Sequence, residues 1–216
     1  MKLAVFDCDG TLADGQGAIC GAMAAAFADT GVAAPDPHAV RRIVGLSLPH
    51  AVARLAPAES PDTHRRLVEA YKQAFFRARE AGLVHEPLFD GIAALLSRLR
   101  ANGWLMGVAT GKSDRGLAGC LAMHGLTDLF VTLQTADRHP SKPHPAMLEA
   151  AMAQVGAAPG QTAMIGDTAY DMAMARTAGT RAIGAAWGYH APDELIAAGA
   201  HAIAETPEEL ESLLDG

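Results

Sequence analysis

Cysteine is scarce in this chain of 216 residues: Cys8, Cys20 and Cys120 are an odd number with no C-x-x-C pair. That argues against both a disulfide framework and a zinc knuckle, and Cys8, flanked by acids beside an apolar run, reads as a core filler. Aromatic residues make up only 5%, and the apolar fraction is weighted toward alanine. This favours helical layers over an all-β sandwich. Basic residues are few, 17 against 24 acidic ones, for a net charge of −7, so no concentrated cationic surface for nucleic acid is expected. No apolar stretch approaches the roughly 20 residues of a membrane span. The opening run KLAVF meets an acid too early for the hydrophobic region of a signal peptide. A cytoplasmic protein with no nucleic-acid or membrane partner is expected.

What is present is a well-packed composition, 50% hydrophobic and 19% charged, which excludes wholesale disorder. Short apolar runs at residues 2–6, 104–109, 130–134, 162–165 and 181–186 read as buried strands. Helical patterns fill the intervals at 91–100, 113–124, 145–155 and 168–178, and glycines follow several of them, as at helix C-termini. Strands alternating with helices imply an α/β fold, a Rossmann-like parallel sheet with helices on both faces. Ligands bind such sheets beyond the carboxyl ends of the strands. Residues 18–29, 38–44, 48–55 and 62–81 break the rhythm with helical periodicity punctuated by prolines and no strand. They predict a helical insertion after the first strand, giving a core of 1–14 and 88–216 and a helical cap of 15–87. Short helices at 192–198 and 207–214 close the chain.

Polar residues with chemical reach cluster at the predicted strand ends. Asp7 and Asp9, in DCDGT at 7–11, follow the first strand, where a glycine turn can aim both carboxylates at one point. No third acid and no closing Glu follow, so this is not an EF-hand loop. Asp167 ends another strand, and Asp171 lies one helical turn further on, so both can face one crevice. Two acidic strand ends suit Mg²⁺, which takes a few carboxylate oxygens and leaves its other positions to water or phosphate. Thr110 and Gly111 sit between a strand and a helix start, a geometry that binds anions. Lys142 lies between prolines in SKPHP at 141–145, which fixes where its ammonium points.

DCDGT at 7–11, VATGK at 108–112, SKPHP at 141–145 and IGDTAYD at 165–171 together resemble the four ordered motifs of the haloacid dehalogenase-like superfamily. The chain looks most similar to its phosphoglycolate phosphatase group, through Gly45-Leu46-Ser47 in the insertion and Trp187-Gly188-Tyr189. The resemblance implies a phosphatase acting on a small phosphorylated metabolite, as a monomer or homodimer. Asp7 would be the nucleophile and Asp9 the general acid–base. Mg²⁺ would be held by Asp7, Asp167 and the backbone carbonyl of Asp9, and phosphate by Thr11, Thr110, Gly111 and Lys142. Asp171 would orient Lys142 or metal-bound water, and Arg41, Gly45 and Ser47 would select the substrate. In the family Asn commonly stands where this chain has Gly111, and Ser where it has Gly15. A phosphosugar mutase or inorganic pyrophosphatase of the same superfamily and a receiver-like phospho-acceptor module are the rival readings. The helical insertion argues against the receiver, and the lack of a Lys-Gly-Arg cluster in the cap argues against the mutase.

Overall fold

The computed structural model describes residues 2–215. Strand β1 (Leu3–Phe6) is fully buried and alternates its side chains between two cores. Ala4 and Phe6 face one cluster, with α5 (Ile92–Ala101), α6 (Asp114–Met123) and α10 (Pro207–Asp215). Leu3 and Val5 face the other, with α7 (Ala146–Val155), α8 (Ala169–Thr177) and α9 (Pro192–Ala197). Burial on both faces explains why this strand reads as a continuous apolar run. Burying a side chain such as Phe6 stabilises the fold by about 1.5–3 kcal/mol.

The six strands form one parallel sheet in the order β3-β2-β1-β4-β5-β6. The others are β2 (Leu105–Thr110), β3 (Thr132–Thr135), β4 (Thr162–Gly166), β5 (Arg181–Ala185) and β6 (Ala202–Ala204). The chain winds outward from β1 to β3, then returns to place β4 on the other side of β1. That reversal is the switch point at which such sheets open a crevice. Phe6 pairs with Val108 on β2 and Ile165 on β4, so the residues that follow β1, β2 and β4 converge at one edge. The α/β Rossmann-like reading holds. Strand β6 was not expected from its short alanine-rich sequence. Strand β3 begins later than residue 130, because a 3-10 turn at Thr127–Leu129 leaves Val131 46% exposed.

Between β1 and α5 lie α1 (Gln16–Thr30), α2 (Pro37–Arg42), α3 (Leu48–Leu55) and α4 (Pro61–Glu80). Pro37, Pro49 and Pro61 stand in first turns, where a missing N–H costs nothing. Their apolar faces share a core of Ile19, Met23, Phe27, Val40, Val52 and Leu67. Among the described residues, no helix is long and apolar enough to cross a membrane.

His190 joins the insertion to the sheet. Its Nδ1 accepts the Ala169 N–H (3.2 Å) and its Nε2 donates to the Arg42 carbonyl (3.1 Å), so the ring is neutral. Burial lowers its pKa below the ordinary range. The unfolded chain therefore binds a proton here that the folded chain does not. Stability is full above the ordinary imidazole pKa of about 6.5 and falls as pH drops below it, levelling off at the depressed folded value. Replacing His190 with Gln should flatten the acid side of the stability profile; urea midpoints for both proteins from about pH 7 to 5 check this.

Candidate active site

The ends of β1 and β4 and the loop after β3 contribute polar side chains to one buried group. Asp7 directly follows β1, and its N–H donates to the Ile165 carbonyl (2.9 Å) on β4. Its Oδ1 accepts the Cys8 N–H (2.6 Å), which leaves Oδ2 pointing at Lys142 Nζ, 2.8 Å away. Lys142 is buried and reaches Asp171 Oδ1 at 2.6 Å on its other side. Asp171 is fixed in turn by the first turn of α8, where its Oδ2 accepts the Thr168 N–H (3.1 Å) and hydroxyl (2.7 Å). This capping box gives Asp171 its helical role and aims its free oxygen at Lys142. Asp171 thus positions Lys142.

Asp167 completes the group. Its Oδ1 accepts the Thr11 hydroxyl (2.8 Å) and its Oδ2 the Tyr189 N–H (2.9 Å). The chain passes so close that a Cβ at Gly10 would lie 2.1 Å from Asp167 Oδ2, and Gly10 has φ +82°. Only glycine accepts both conditions. Carboxylate oxygens of Asp7, Asp167 and Asp171 lie within 4.8 Å of one another, all buried.

Three buried carboxylates against one ammonium leave negative charge uncompensated. The protonation behaviour shows the cost. Burial pushes Asp7 up to about 7 even with Lys142 opposing it, and burial together with Asp7 and Asp171 carries Asp167 well above the carboxylate range. Burial alone would lower Lys142, but Asp171 and Asp7 outweigh it and hold the ammonium charged. A hard divalent cation fits this all-oxygen donor set and would replace the protons that the cluster otherwise attracts.

Thr110 closes β2 and is buried; its Oγ1 accepts the Lys112 N–H (3.2 Å), so the hydroxyl proton remains available to an anion. Thr11 donates its hydroxyl to Asp167 and its N–H to the Cys8 carbonyl (3.4 Å), which ties it to the acidic group. The Asp9 carboxylate stands outside the acidic cluster, against Lys112 Nζ at 3.0 Å. Any share it takes in a metal site is through its backbone carbonyl.

Above this floor the cap loop Gly45–Ser47 closes down. A Cβ at Gly45 would lie 3.6 Å from Asp7 Oδ2, and the Ser47 N–H donates to Ser141 Oγ (2.9 Å), next to Lys142. Beside it a cavity of about 640 Å³ opens between cap and core, with Asp9, Gly111 and Lys112 on the core side and Gly45, Ser47 and Phe75 on the cap side. The guanidinium of Arg41 lies over the Tyr189 ring (5.3 Å), in a separate cavity with Arg42 and Glu194. Gly111 has a steric reason: a Cβ there would meet the Leu46 carbonyl oxygen at 2.5 Å and that of Gly45 at 2.7 Å. Backbone cannot give way as a side-chain tip can. Replacing Gly111 with Asn should hold the loop open and reduce kcat/KM by about tenfold or more, as ångström misplacements do, with the unfolding midpoint little changed.

The sequence profile of the haloacid dehalogenase-like hydrolases matches residues 4–185. The chain belongs to this family. Over 210 residues, 96% of the chain and 91% of its relative, the hydrolase is 35% identical to the probable phosphatase IndB of Dickeya dadantii. It is 31% identical over 221 residues to the N-acetylmuramic acid 6-phosphate phosphatase of Pseudomonas putida, covering 100% and 96% of the two chains. With the phosphoglycolate phosphatase of Cereibacter sphaeroides it shares 33% over 193 residues, 87% of each. Among solved structures it resembles a hydrolase from Pseudomonas syringae, with TM-score 0.87, 25% identity and coverage of 100% and 98%. The hydrolase is a phosphatase, acting on phosphoric monoesters.

Three charged residues that meet beside the cavity carry no expectation from sequence. Lys112 was in view within VATGK but read only as the end of that motif. Glu86 and Arg79, which meet it or each other from 26 and 33 residues back along the chain, have no local signal.

Proposed function

We propose that this phosphatase cleaves the monoester of a small carboxylic acid, with 2-phosphoglycolate the first candidate, by transferring the phosphoryl group to Asp7. The observation that carries the reading is the buried Asp7–Lys142–Asp171 chain with Asp167 beside it at the sheet's switch point. Asp7 Oδ2 is the attacking atom, because Oδ1 is held by the Cys8 N–H. Lys142 aligns that oxygen and offers its ammonium to the phosphoryl oxygens, as the Thr110 hydroxyl does. Asp9 lines the cavity in which the leaving group sits, so its carboxyl gives a proton to the departing oxygen. It then takes one from the water that attacks the aspartyl-phosphate. Asp7, Asp167 and the Asp9 carbonyl would hold Mg²⁺. When bound, that ion supplies charge neutralisation between a carboxylate and a phosphate dianion. The closed Gly45–Ser47 loop excludes bulk water from Asp7, which is 0% exposed, and must lift to admit substrate.

The acid preference rests on charge. Lys72, Arg79 and Arg115 line the cavity together with Tyr71, Phe75 and Phe76, so a carboxylate on the leaving group meets cations and its carbon skeleton meets aromatic faces. Phosphoglycolate and N-acetylmuramic acid 6-phosphate, named for two relatives, are both esters of acids. A single-turnover reaction with Mg²⁺ and 2-phosphoglycolate, quenched in acid and digested, should place the phosphoryl group on the peptide containing Asp7. Ethyl phosphate, without the acid, should label it more slowly. Release of phosphate with no labelled Asp7 peptide at any time would overturn the reading.

A further inference from the structure

Beneath the leaving-group cavity lies a second charged cluster, separate from the phosphoryl floor. Lys112 Nζ sits 2.5 Å from Glu86 Oε1 and 3.0 Å from Asp9 Oδ1, with the side chains of Lys112 and Glu86 8% and 0% exposed. Glu86 belongs to the segment that returns from α4 to the core. Its carbonyl accepts His124 Nε2 (2.7 Å) from the end of α6, so its backbone is anchored to the sheet layer. From the last turn of α4, Arg79 Nη2 approaches Glu86 Oε2 at 3.7 Å. Lys112 itself follows Thr110 by two residues, and its N–H is held by the Thr110 hydroxyl. Both ends of the cluster are therefore fixed to rigid elements.

The ammonium of Lys112, 3.0 Å from Asp9 Oδ1, is the contact that orients it. Asp9 Oδ1 also leans over Gly15. A Cβ at that position would lie 2.4 Å from Asp9 Oδ1 and 3.4 Å from Glu86 Oε1. Gly15 has φ −90° and ψ 0°, which any residue adopts, so its value here is room rather than flexibility. The serine that family resemblance expects after Asp14 would collide with this arrangement.

We propose that Lys112, clamped by Glu86, is a positioning residue for Asp9: it pins Oδ1 in the space left by Gly15 and so turns the other carboxyl oxygen toward the ester oxygen of the leaving group. The inference rests on the proposed role of Asp9 as proton donor. The bond from phosphorus to the leaving oxygen breaks while the proton on Asp9 passes to that oxygen. In the second half-reaction the attacking water returns a proton to Asp9. Lys112 and Glu86 keep their charges throughout and act only through the direction of the carboxyl group.

A misdirected acid matters in proportion to how much the leaving group needs its proton. The alkoxide of 2-phosphoglycolate needs it, whereas p-nitrophenolate leaves readily without it. Changing Lys112 alone strands Glu86 as well as freeing Asp9, so Glu86 is neutralised with it as Lys112→Met/Glu86→Gln and only Asp9 loses its partner. We expect kcat on 2-phosphoglycolate to fall about 10- to 100-fold more than kcat on p-nitrophenyl phosphate, a fraction of the roughly 10²–10⁴-fold value of a general acid. KM should change little, and Lys112→Arg should recover part of the loss. Gly15→Ala should reproduce the selective loss with an unchanged unfolding midpoint, since the nearest atoms belong to the ends of the Asp9 and Glu86 side chains. Equal losses on both esters, an effect confined to KM, or full activity of Gly15→Ala would overturn the proposal. Asp9→Asn separates the two ideas. A selective loss in Asp9→Asn alone keeps the proton-donor reading and sinks the positioning one, and no selectivity in Asp9→Asn sinks both.

Discussion

Asp7→Asn should remove turnover and leave the protein about as stable as it was. Asn matches Asp in shape and takes one negative charge out of a buried cluster already short of cations, while its single acceptor oxygen serves either the Cys8 N–H or Lys142 Nζ but not both. The carboxyl of Asp7 is costly to hold ionised there, as its rise to about 7 shows, with burial the main cause. Deleting the charge should therefore leave the urea midpoint unchanged or raised. Catalysis has no substitute, because an amide oxygen cannot carry the phosphoryl group. Losses for removing a nucleophile reach about 10⁴–10⁶-fold. Phosphate release assayed with Mg²⁺ checks it; more than about a hundredth of wild-type kcat would be too much for a variant lacking its nucleophile.

Lys142→Met should produce the second large effect, with activity and stability falling together. Lys142 is among the largest fully buried side chains, and it alone bridges Asp7 and Asp171. Methionine fills much of the same volume but strands two carboxylates. Breaking a buried pair from one side costs about 3–5 kcal/mol. The double variant Lys142→Met/Asp171→Asn should regain part of this stability, since it removes one stranded charge, yet remain inactive. Mg²⁺ should stabilise Lys142→Met more than the wild type, because a ligand that binds only the folded state shifts unfolding by mass action. Urea midpoints with and without Mg²⁺ measure both effects.

How much of this was legible in the sequence follows from how far each contact reaches. Strands β1, β2 and β4 were visible because burial on both faces demands unbroken apolar runs, and their ends marked Asp7, Thr110 and Asp167. The fixed offset of α8 from β4 made Asp171 visible as well, since one helical turn is a local matter. Strand β6 was not, because Ala202–Ala204 offers too few bulky side chains to separate a strand from a loop. Thr11 lay in the right motif, but which acceptor its hydroxyl would choose depended on Asp167, 156 residues away. That Arg41 packs on Tyr189 was likewise not legible, since the two are far apart in the chain. The Lys112–Glu86 pair was hidden for the same reason, as its partners meet only when the chain returns from the cap. Gly111 and Gly15 looked like departures from a pattern, yet each is the residue that the surrounding atoms require.

The steric course of the reaction tests the proposed covalent bond between Asp7 and phosphorus. A thiophosphate ester made chiral at phosphorus with oxygen isotopes can be hydrolysed in water of a third isotope, and the configuration of the product read. Two in-line displacements, first by Asp7 and then by water, predict overall retention. Inversion would mean that water attacks the substrate directly, and the nucleophilic role of Asp7 would be wrong.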